Sequence, residues 1–241
     1  MKKNNAFKVL GCITLVIGSL PTAFAMSGNA QYLLQSICSN LTYSSDRARC
    51  LNVVAGKEFD EDALHVCENM SYSSDQIACL IEISNQKFEK SAADLCNSLT
   101  YSTDKRVCLN NIAGKHFDQG GVMVCNSMTY SSDKIACMNQ IVDQKFSSNA
   151  AQACSELNYS TDERACLGLI ANKKYSTPAL SVCSKLRYSS DKNKCMSIIA
   201  DKEYSSMEIQ IISSMTYSSE IINLLSRSGR EIIEPVSSVS E

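Results

Sequence analysis

The sequence has little of what catalysis and metal binding require. It contains only two histidines, His65 and His116, and neither has the spacing of a metal or catalytic site. No serine has a histidine or lysine placed to activate it, so nucleophilic catalysis finds no support. Eleven residues separate the cysteines within each pair, unlike the short gaps of zinc modules. We predict no catalytic residue, metal or cofactor, and we expect both histidines at the surface or at helix ends.

Basic clusters and long apolar runs are also missing. Residues 1–25 hold three of the 23 lysines and arginines and none of the 25 acidic residues, so the remainder has a net charge of about −5. An acidic chain without a basic patch argues against nucleic acid or an anionic membrane surface as a partner. The apolar run from Val9 to Leu20 is shorter than the ~20 residues of a membrane-spanning helix. We predict no stable membrane insertion after this run is removed.

Residues 1–25 have the parts of a bacterial secretory signal peptide. Lysines precede the apolar run, and Ala23-Phe24-Ala25 forms an A-x-A cleavage site before Met26. A lipoprotein is an alternative, because the residues ending at Cys12 resemble a lipidation box, and an uncleaved anchor is another. Too little apolar sequence precedes Cys12 for a lipoprotein, and the apolar run is too short for an uncleaved membrane anchor. The sequence therefore predicts an exported protein, either periplasmic or secreted.

A 29-residue unit fills most of the remaining chain, and residues 96–124 are one copy of it. Its two cysteines are 12 positions apart, and they recur through six copies without insertion or deletion. Self-similarity at a fixed period indicates a stacked array rather than a domain with one core. The cysteines are Cys38 and Cys50, Cys67 and Cys79, Cys96 and Cys108, Cys125 and Cys137, Cys154 and Cys166, and Cys183 and Cys195.

Each unit has the pattern of two helices joined by a turn. Apolar residues from Ala92 to Leu99 recur at i, i+3, i+4 and i+7, which is one face of a short helix, helix A. A turn at 100–104 precedes a second helix, helix B, which ends near Lys115. The sequence thus predicts an all-α fold, an α-solenoid of about seven 29-residue αα-hairpins. The helices are expected to have about ten and thirteen residues.

The array is expected to occupy residues 26–228. Its seventh hairpin, at about 206–228, lacks cysteines and is interpreted as a terminal cap, because end repeats need not match internal ones. Gly229 is suited to the C-cap of the last helix. We predict a flexible tail at 229–241.

The turn between the helices contains Tyr-Ser in all seven copies, followed by serine or threonine and usually aspartate. The hydroxyls are expected to cap helix B, and the acid is expected in its first turn, where the helix dipole favours negative charge. The tyrosine is expected to pack at the corner of the hairpin. Stacking would align Asp46, Asp75, Asp104, Asp133, Asp162 and Asp191 along one edge, where they could attract cations or basic partners; capping is the preferred interpretation.

The disulfide pairing can be inferred from the seventh copy. Pairing within a hairpin, such as Cys96 with Cys108, competes with pairing between hairpins, such as Cys79 with Cys96. The entropy of loop closure does not decide, because both loops correspond to about 3 kcal/mol. In the seventh copy both cysteine positions are apolar, Ile212 and Leu224. Only pairing within hairpins leaves no unpaired thiol, so we predict six such disulfides, typical of an oxidising compartment.

Residues that differ between copies give a candidate binding surface, the variable strip. It consists of two positions on helix B after the second cysteine and the residue that follows it. A fixed frame with variable exposed positions is typical of the binding surface of a repeat protein, although these positions could also be unconstrained. The strip comprises Asn52, Val53, Ile81, Glu82, Asn110, Asn111, Asn139, Gln140, Gly168, Leu169, Ser197 and Ile198.

The plan of cysteine-stapled αα-hairpins in an exported chain resembles secreted cysteine-rich Sel1-like repeat proteins. The similarity covers residues 29–228 in architecture, while the glycine-rich Sel1 consensus is missing and the cysteines are more widely spaced. Proteins of that type are linked to host or envelope interactions, and some to penicillin binding. The resemblance implies an α-solenoid but transfers no site residue.

Three functions are compatible with the sequence. The first is a non-enzymatic scaffold whose extended surface binds a protein or peptide outside the cytoplasm. The second is an enzyme, or an enzyme inhibitor, that acts on envelope polymers. The third is a purely structural envelope protein. We favour the scaffold, because the recurring polar residues are accounted for by capping rather than by a catalytic constellation.

Overall fold

The computed structural model describes residues 27–232. The predicted signal peptide at 1–25, and the predicted tail beyond residue 232, lie outside the described residues. Within that range the chain forms fourteen α-helices and two short strands. The all-α prediction is therefore confirmed.

The helices form seven consecutive hairpins. The A helices are α1 (Gly28–Asn40), α3 (Glu61–Glu68), α5 (Lys90–Asn97), α7 (Gln119–Ser127), α9 (Ser148–Ser155), α11 (Thr177–Ser184) and α13 (Ser206–Ser213). The B helices are α2 (Ser44–Val54), α4 (Ser73–Ile83), α6 (Ser102–Ile112), α8 (Ser131–Gln140), α10 (Ser160–Ile170), α12 (Ser189–Ile199) and α14 (Ser218–Arg227). The internal A helices have eight or nine residues and the B helices ten or eleven, so the predicted lengths of ten and thirteen were too long.

Each helix packs against its partner in the hairpin and against the equivalent helix of the next hairpin. The apolar residue after the second cysteine shows how the repeats stack. It is buried as Leu80, Leu109, Met138, Leu167 and Met196, whereas Leu51 in the first hairpin is 62% exposed. Since only a preceding hairpin covers this position, the core is a continuous row of contacts between neighbouring repeats. This arrangement is the predicted α-solenoid.

Six disulfides staple the first six hairpins, each joining helix A to helix B of the same hairpin. The Cα atoms of each pair are 5.4–5.6 Å apart, which is an ordinary disulfide separation. All twelve cysteines are buried. The predicted pairing is confirmed, and the alternative Cys79–Cys96 pairing is excluded.

A left-handed residue ends each of the first six hairpins, which the sequence interpretation did not anticipate. These residues have φ of 57–69° and are Gly56, Asn85, Gly114, Asp143, Asn172 and Asp201. Glycine, asparagine and aspartate tolerate this conformation better than other residues. From the second hairpin onward, the N–H of this residue donates to a carbonyl oxygen 27 residues earlier at 2.8–3.0 Å. The turn therefore shortens helix B and joins it to the preceding repeat.

Replacing Asn172 by alanine is expected to lower the free energy of unfolding by about 1–2 kcal/mol. Its backbone is left-handed, and its Oδ1 accepts a hydrogen bond from the Lys145 N–H at 3.0 Å. Asn172→Gly is the matched control, because glycine loses the same side-chain hydrogen bonds as alanine, to Lys145 and Gln144, but tolerates the left-handed backbone. Urea unfolding followed by circular dichroism should place the glycine variant above the alanine variant. Equal stabilities would show that the left-handed backbone carries no strain.

The seventh hairpin is held by a short sheet and a half-buried tyrosine. Strand β1 (Lys202–Glu203) pairs antiparallel with strand β2 (Arg230–Glu231), so the chain beyond 229 begins with a paired strand rather than with the predicted flexible tail. The Tyr204 hydroxyl donates to the carbonyl oxygen of Leu225 at 3.0 Å, and burial raises the pKa of Tyr204 to about 12. Gly229 has φ of 84°, as expected after a helix C-cap, and a Cβ there would lie 2.7 Å from the Tyr204 ring.

Candidate functional site

Seven exposed tyrosines line the edge of the array where helix A turns into helix B. We call this row the tyrosine ridge: Tyr43, Tyr72, Tyr101, Tyr130, Tyr159, Tyr188 and Tyr217. Their side chains are 59–70% exposed. The prediction that they pack at the hairpin corners is therefore wrong. The array instead presents one aromatic ring per repeat to solvent.

Each ridge tyrosine is the N-cap residue of its B helix. Its backbone is extended, with ψ of 131–144°, and its side chain makes no capping hydrogen bond. The prediction that the following hydroxyls cap helix B is wrong, because the first serine is already inside the helix. Serine, threonine, asparagine or aspartate at an N-cap stabilises a helix by about 1 kcal/mol relative to alanine. All seven B helices lack this contribution.

The serine after the tyrosine joins neighbouring turns at two junctions. Ser73 Oγ accepts a hydrogen bond from the Thr42 N–H at 3.4 Å, and Ser102 Oγ accepts one from the Ser71 N–H at 3.4 Å. These bonds connect the first hairpin to the second and the second to the third. They hold successive turns of the ridge side by side.

The residue four positions after the tyrosine bonds to the end of helix A in several repeats. Arg47 Nε donates to the Leu41 carbonyl oxygen at 3.0 Å, and Lys105 Nζ donates to the Asn97 carbonyl oxygen at 2.8 Å. Burial lowers the pKa of Lys105. These cations neutralise the carbonyl ends of the A helices. Of the two, Lys105 is buried, whereas Arg47 is exposed.

Glu163 occupies the same repeat position in the fifth hairpin and is also buried. Ser127 Oγ donates to Glu163 Oε1 at 2.8 Å, which links the fourth hairpin to the fifth. Burial raises the pKa of Glu163. The sequence signal for this carboxyl is that Glu163 is the one acid at a position where four other repeats carry a cation, one carries glutamine and the seventh carries Ile221.

The predicted aspartate row lies in the first turns of the first six B helices, as expected from the helix dipole. The six side chains are half-buried, and no ion pair within the described chain involves their carboxylates. Among residues 27–232, no group of three or more histidine, cysteine, aspartate or glutamate side chains is placed to hold a metal ion. The row supplies negative charge beside the ridge.

The variable strip lies farther along the B helices, and the structure brings part of it into contacts between repeats. Its first positions are exposed: Asn52, Ile81, Asn110, Asn139, Gly168 and Ser197. Of its second positions, Gln140 and Leu169 are exposed, whereas Val53, Glu82, Asn111 and Ile198 are half-buried. Glu82 forms a hydrogen-bonded ion pair with Arg106, and Gln140 Nε2 donates to the Arg164 carbonyl oxygen at 2.9 Å. Some variation in the strip therefore reflects packing between neighbouring B helices.

The two histidines lie at the surface. His116 Nδ1 is 2.9 Å from Glu89 Oε1, and His65 Nδ1 is 3.6 Å from Glu68 Oε2. The side chain of His116 is 84% exposed and that of His65 is 48% exposed. Each pairs with one carboxylate and has no nucleophile beside it.

The ridge residues could have been recognised from the sequence by one signal. Tyrosine is unvaried in seven copies, yet its immediate neighbours are mainly threonine, serine and aspartate rather than apolar residues. An aromatic residue inside a polar turn is not part of an apolar helical face. That pattern favours an exposed position.

No helix among the described residues is long and apolar enough to span a membrane. The six disulfides indicate an oxidising environment, periplasmic or extracellular. Neither a family model, nor a curated protein, nor a solved structure matches this chain.

Proposed function

We propose that this protein is a non-enzymatic scaffold that binds a protein or peptide along the tyrosine ridge, in the periplasm or outside the cell. The observation that carries the proposal is the exposed tyrosine at the N-cap of every B helix. A hydroxyl or carboxylate side chain there would stabilise the fold better. Departures from local stability rules are expected where a residue serves function.

Tyrosine suits a recognition surface. Its ring offers a large contact area at little cost in conformational entropy, and its hydroxyl can form a hydrogen bond. A row of rings on a stacked array provides an extended site without a deep pocket. The resemblance to secreted Sel1-like proteins, which are linked to host or envelope interactions, supports the same role.

The variable strip is the competing surface. Asn110 is nine residues after Tyr101, so the strip lies about 13 Å along helix B from the ridge. The two surfaces can therefore be altered separately. Binding that depends on the strip and not on the ridge would contradict the proposal.

The test is selection of a random peptide display library on the oxidised protein. Selected peptides are then measured against a ridge variant, Tyr72→Asn/Tyr101→Asn/Tyr130→Asn/Tyr159→Asn. The matched control is Tyr32→Asn, because Tyr32 is 73% exposed on α1, outside the ridge. We expect the ridge variant to lose binding and the control to retain it. Selected peptides that bind both variants equally would overturn the proposal.

The single substitution Tyr101→Asn is expected to raise the stability of the array while weakening binding. Asparagine is a preferred N-cap residue, so the free energy of unfolding should rise by up to about 1 kcal/mol. Urea unfolding monitored by circular dichroism measures this change. Tyr101→Phe keeps the ring and adds no cap, so it should leave stability nearly unchanged. A marked loss of stability in the asparagine variant would show that the ring has a structural role.

A further inference from the structure

We infer that the ridge binds a proline-rich segment in the polyproline II conformation that carries basic residues. This inference rests on the proposed function and adds the chemistry of the partner. Two observations support it, the exposure of the ridge tyrosines and the carboxylates beside them, and the ring spacing expected for stacked helices agrees with it.

The spacing expected for the ridge fits a polyproline II helix. Neighbouring helices pack 8–10 Å apart, and each repeat contributes one tyrosine, so successive rings are expected about 8–10 Å apart. A polyproline II helix returns to the same face every three residues, which is about 9.3 Å. Same-face side chains of a β-strand recur every two residues, or about 6.6 Å, and match less well. One turn of the ligand would thus meet each tyrosine.

The ring faces suit prolyl side chains and an exposed backbone. Polyproline II helices have no internal hydrogen bonds, so their carbonyl groups are free to accept bonds from tyrosine hydroxyls. Aromatic surfaces recognise such segments in several peptide-binding domains. The ligand is already extended before binding, which reduces the entropy lost on a shallow surface.

The charge beside the central ridge favours basic residues in the ligand. Asp75, Asp104, Asp133 and Asp162 each follow a ridge tyrosine by three residues. The nearby Lys105 is turned toward the Asn97 carbonyl oxygen, and Lys134 Nζ donates to Asn126 Oδ1 at 3.1 Å. Arg106, two residues after Asp104, is paired with Glu82. The central part of the ridge therefore combines exposed rings with aspartates that form no ion pair among residues 27–232. A cationic ligand would be attracted and an acidic one repelled.

In the sixth hairpin, an arginine of the chain itself contacts a tyrosine of the ridge. The guanidinium carbon of Arg187 lies 5.6 Å from the centre of the Tyr188 ring. This distance is within the range of a cation–π interaction. Arginine of a ligand could occupy the equivalent place.

The inference can be tested with labelled peptides and fluorescence anisotropy. The main probe contains five Pro-Pro-Arg triplets and spans about 46 Å in the polyproline II conformation, enough for about five rungs. Five Gly-Gly-Arg triplets keep the charge without the preformed helix, and five Pro-Pro-Glu triplets keep the helix with the opposite charge. We expect the Pro-Pro-Arg peptide to bind at least about tenfold more tightly than either control.

Protein variants separate this inference from the proposed function. The fourfold Tyr→Asn ridge variant should lose Pro-Pro-Arg binding, and Tyr32→Asn should retain it. Asp104→Asn/Asp133→Asn should weaken binding and reduce its salt dependence. Equal binding of the Gly-Gly-Arg peptide, or ridge-dependent library peptides without proline, would overturn the inference and leave the function standing. Ridge-dependent binding of a β-1,4-linked oligosaccharide with no peptide binding would overturn both.

Discussion

Removing one internal disulfide with Cys96→Ala/Cys108→Ala is expected to lower the free energy of unfolding by about 3 kcal/mol. The bond joins residues 12 positions apart and links α5, which has eight residues, to α6, which has eleven. Both helices are too short to be stable alone. Without it, the third hairpin depends only on contacts with its neighbours. Urea unfolding followed by circular dichroism measures the loss.

The effect should also depend on where in the array the removed disulfide lies. In a linear array each repeat contacts only its neighbours, so a weakened internal hairpin can uncouple the two halves and broaden the transition. Cys38→Ala/Cys50→Ala is the matched control, because it weakens a terminal hairpin. That variant should fray one end and leave the main transition sharp. If thiol reductant left the helical signal and the melting temperature unchanged, the disulfides would have no stabilising role.

Leu109→Ala is expected to destabilise the protein by about 2–5 kcal/mol. Leu109 is 1% exposed at the junction between two repeats, so alanine would leave a cavity there. Leu51→Ala is the matched control, since Leu51 occupies the same repeat position but is 62% exposed. The control should change stability by no more than about 0.5 kcal/mol.

Thermal and urea unfolding of these two leucine variants test the stacking model directly. The same chemical change is made at equivalent positions that differ only in whether a preceding hairpin covers the side chain. Similar losses in both variants would show that the first hairpin is covered in solution. A negligible loss in Leu109→Ala would contradict the continuous core.

The sequence was sufficient for the architecture because the period carries information that single elements do not. Six cysteine pairs in one register predicted the stacked hairpins, and the apolar Ile212 and Leu224 identified which cysteines pair. Neither inference depended on the exact ends of a helix. Both are confirmed by the structure.

The turn chemistry was harder to predict, since it depends on backbone conformation at single residues. A hydroxyl was assigned as the cap of helix B, whereas the preceding tyrosine takes that position without a side-chain bond. The left-handed turn had a sequence signal in glycine, asparagine and aspartate at one repeat position, such as Gly114 and Asn172. Helix lengths were overestimated because that signal was not used.

The candidate site is the tyrosine ridge rather than the predicted variable strip. Variation among repeats drew attention to the strip, but part of that variation adapts neighbouring B helices to each other, as Glu82 and Arg106 show. The tyrosines do not vary, so they were assigned to structure. Recurrence alone does not show their exposure, because a residue that recurs in every repeat can face either the core or solvent; the signal for exposure is the polar residues on either side of each tyrosine.

The short span of each disulfide has a consequence for how the protein matures. Every bond joins cysteines 12 positions apart, and the next cysteine in the chain is always the correct partner for the first member of a pair. If the chain enters an oxidising compartment from its N-terminus, pairing of the cysteines in their order of emergence gives the native set of disulfides without reshuffling by an isomerase.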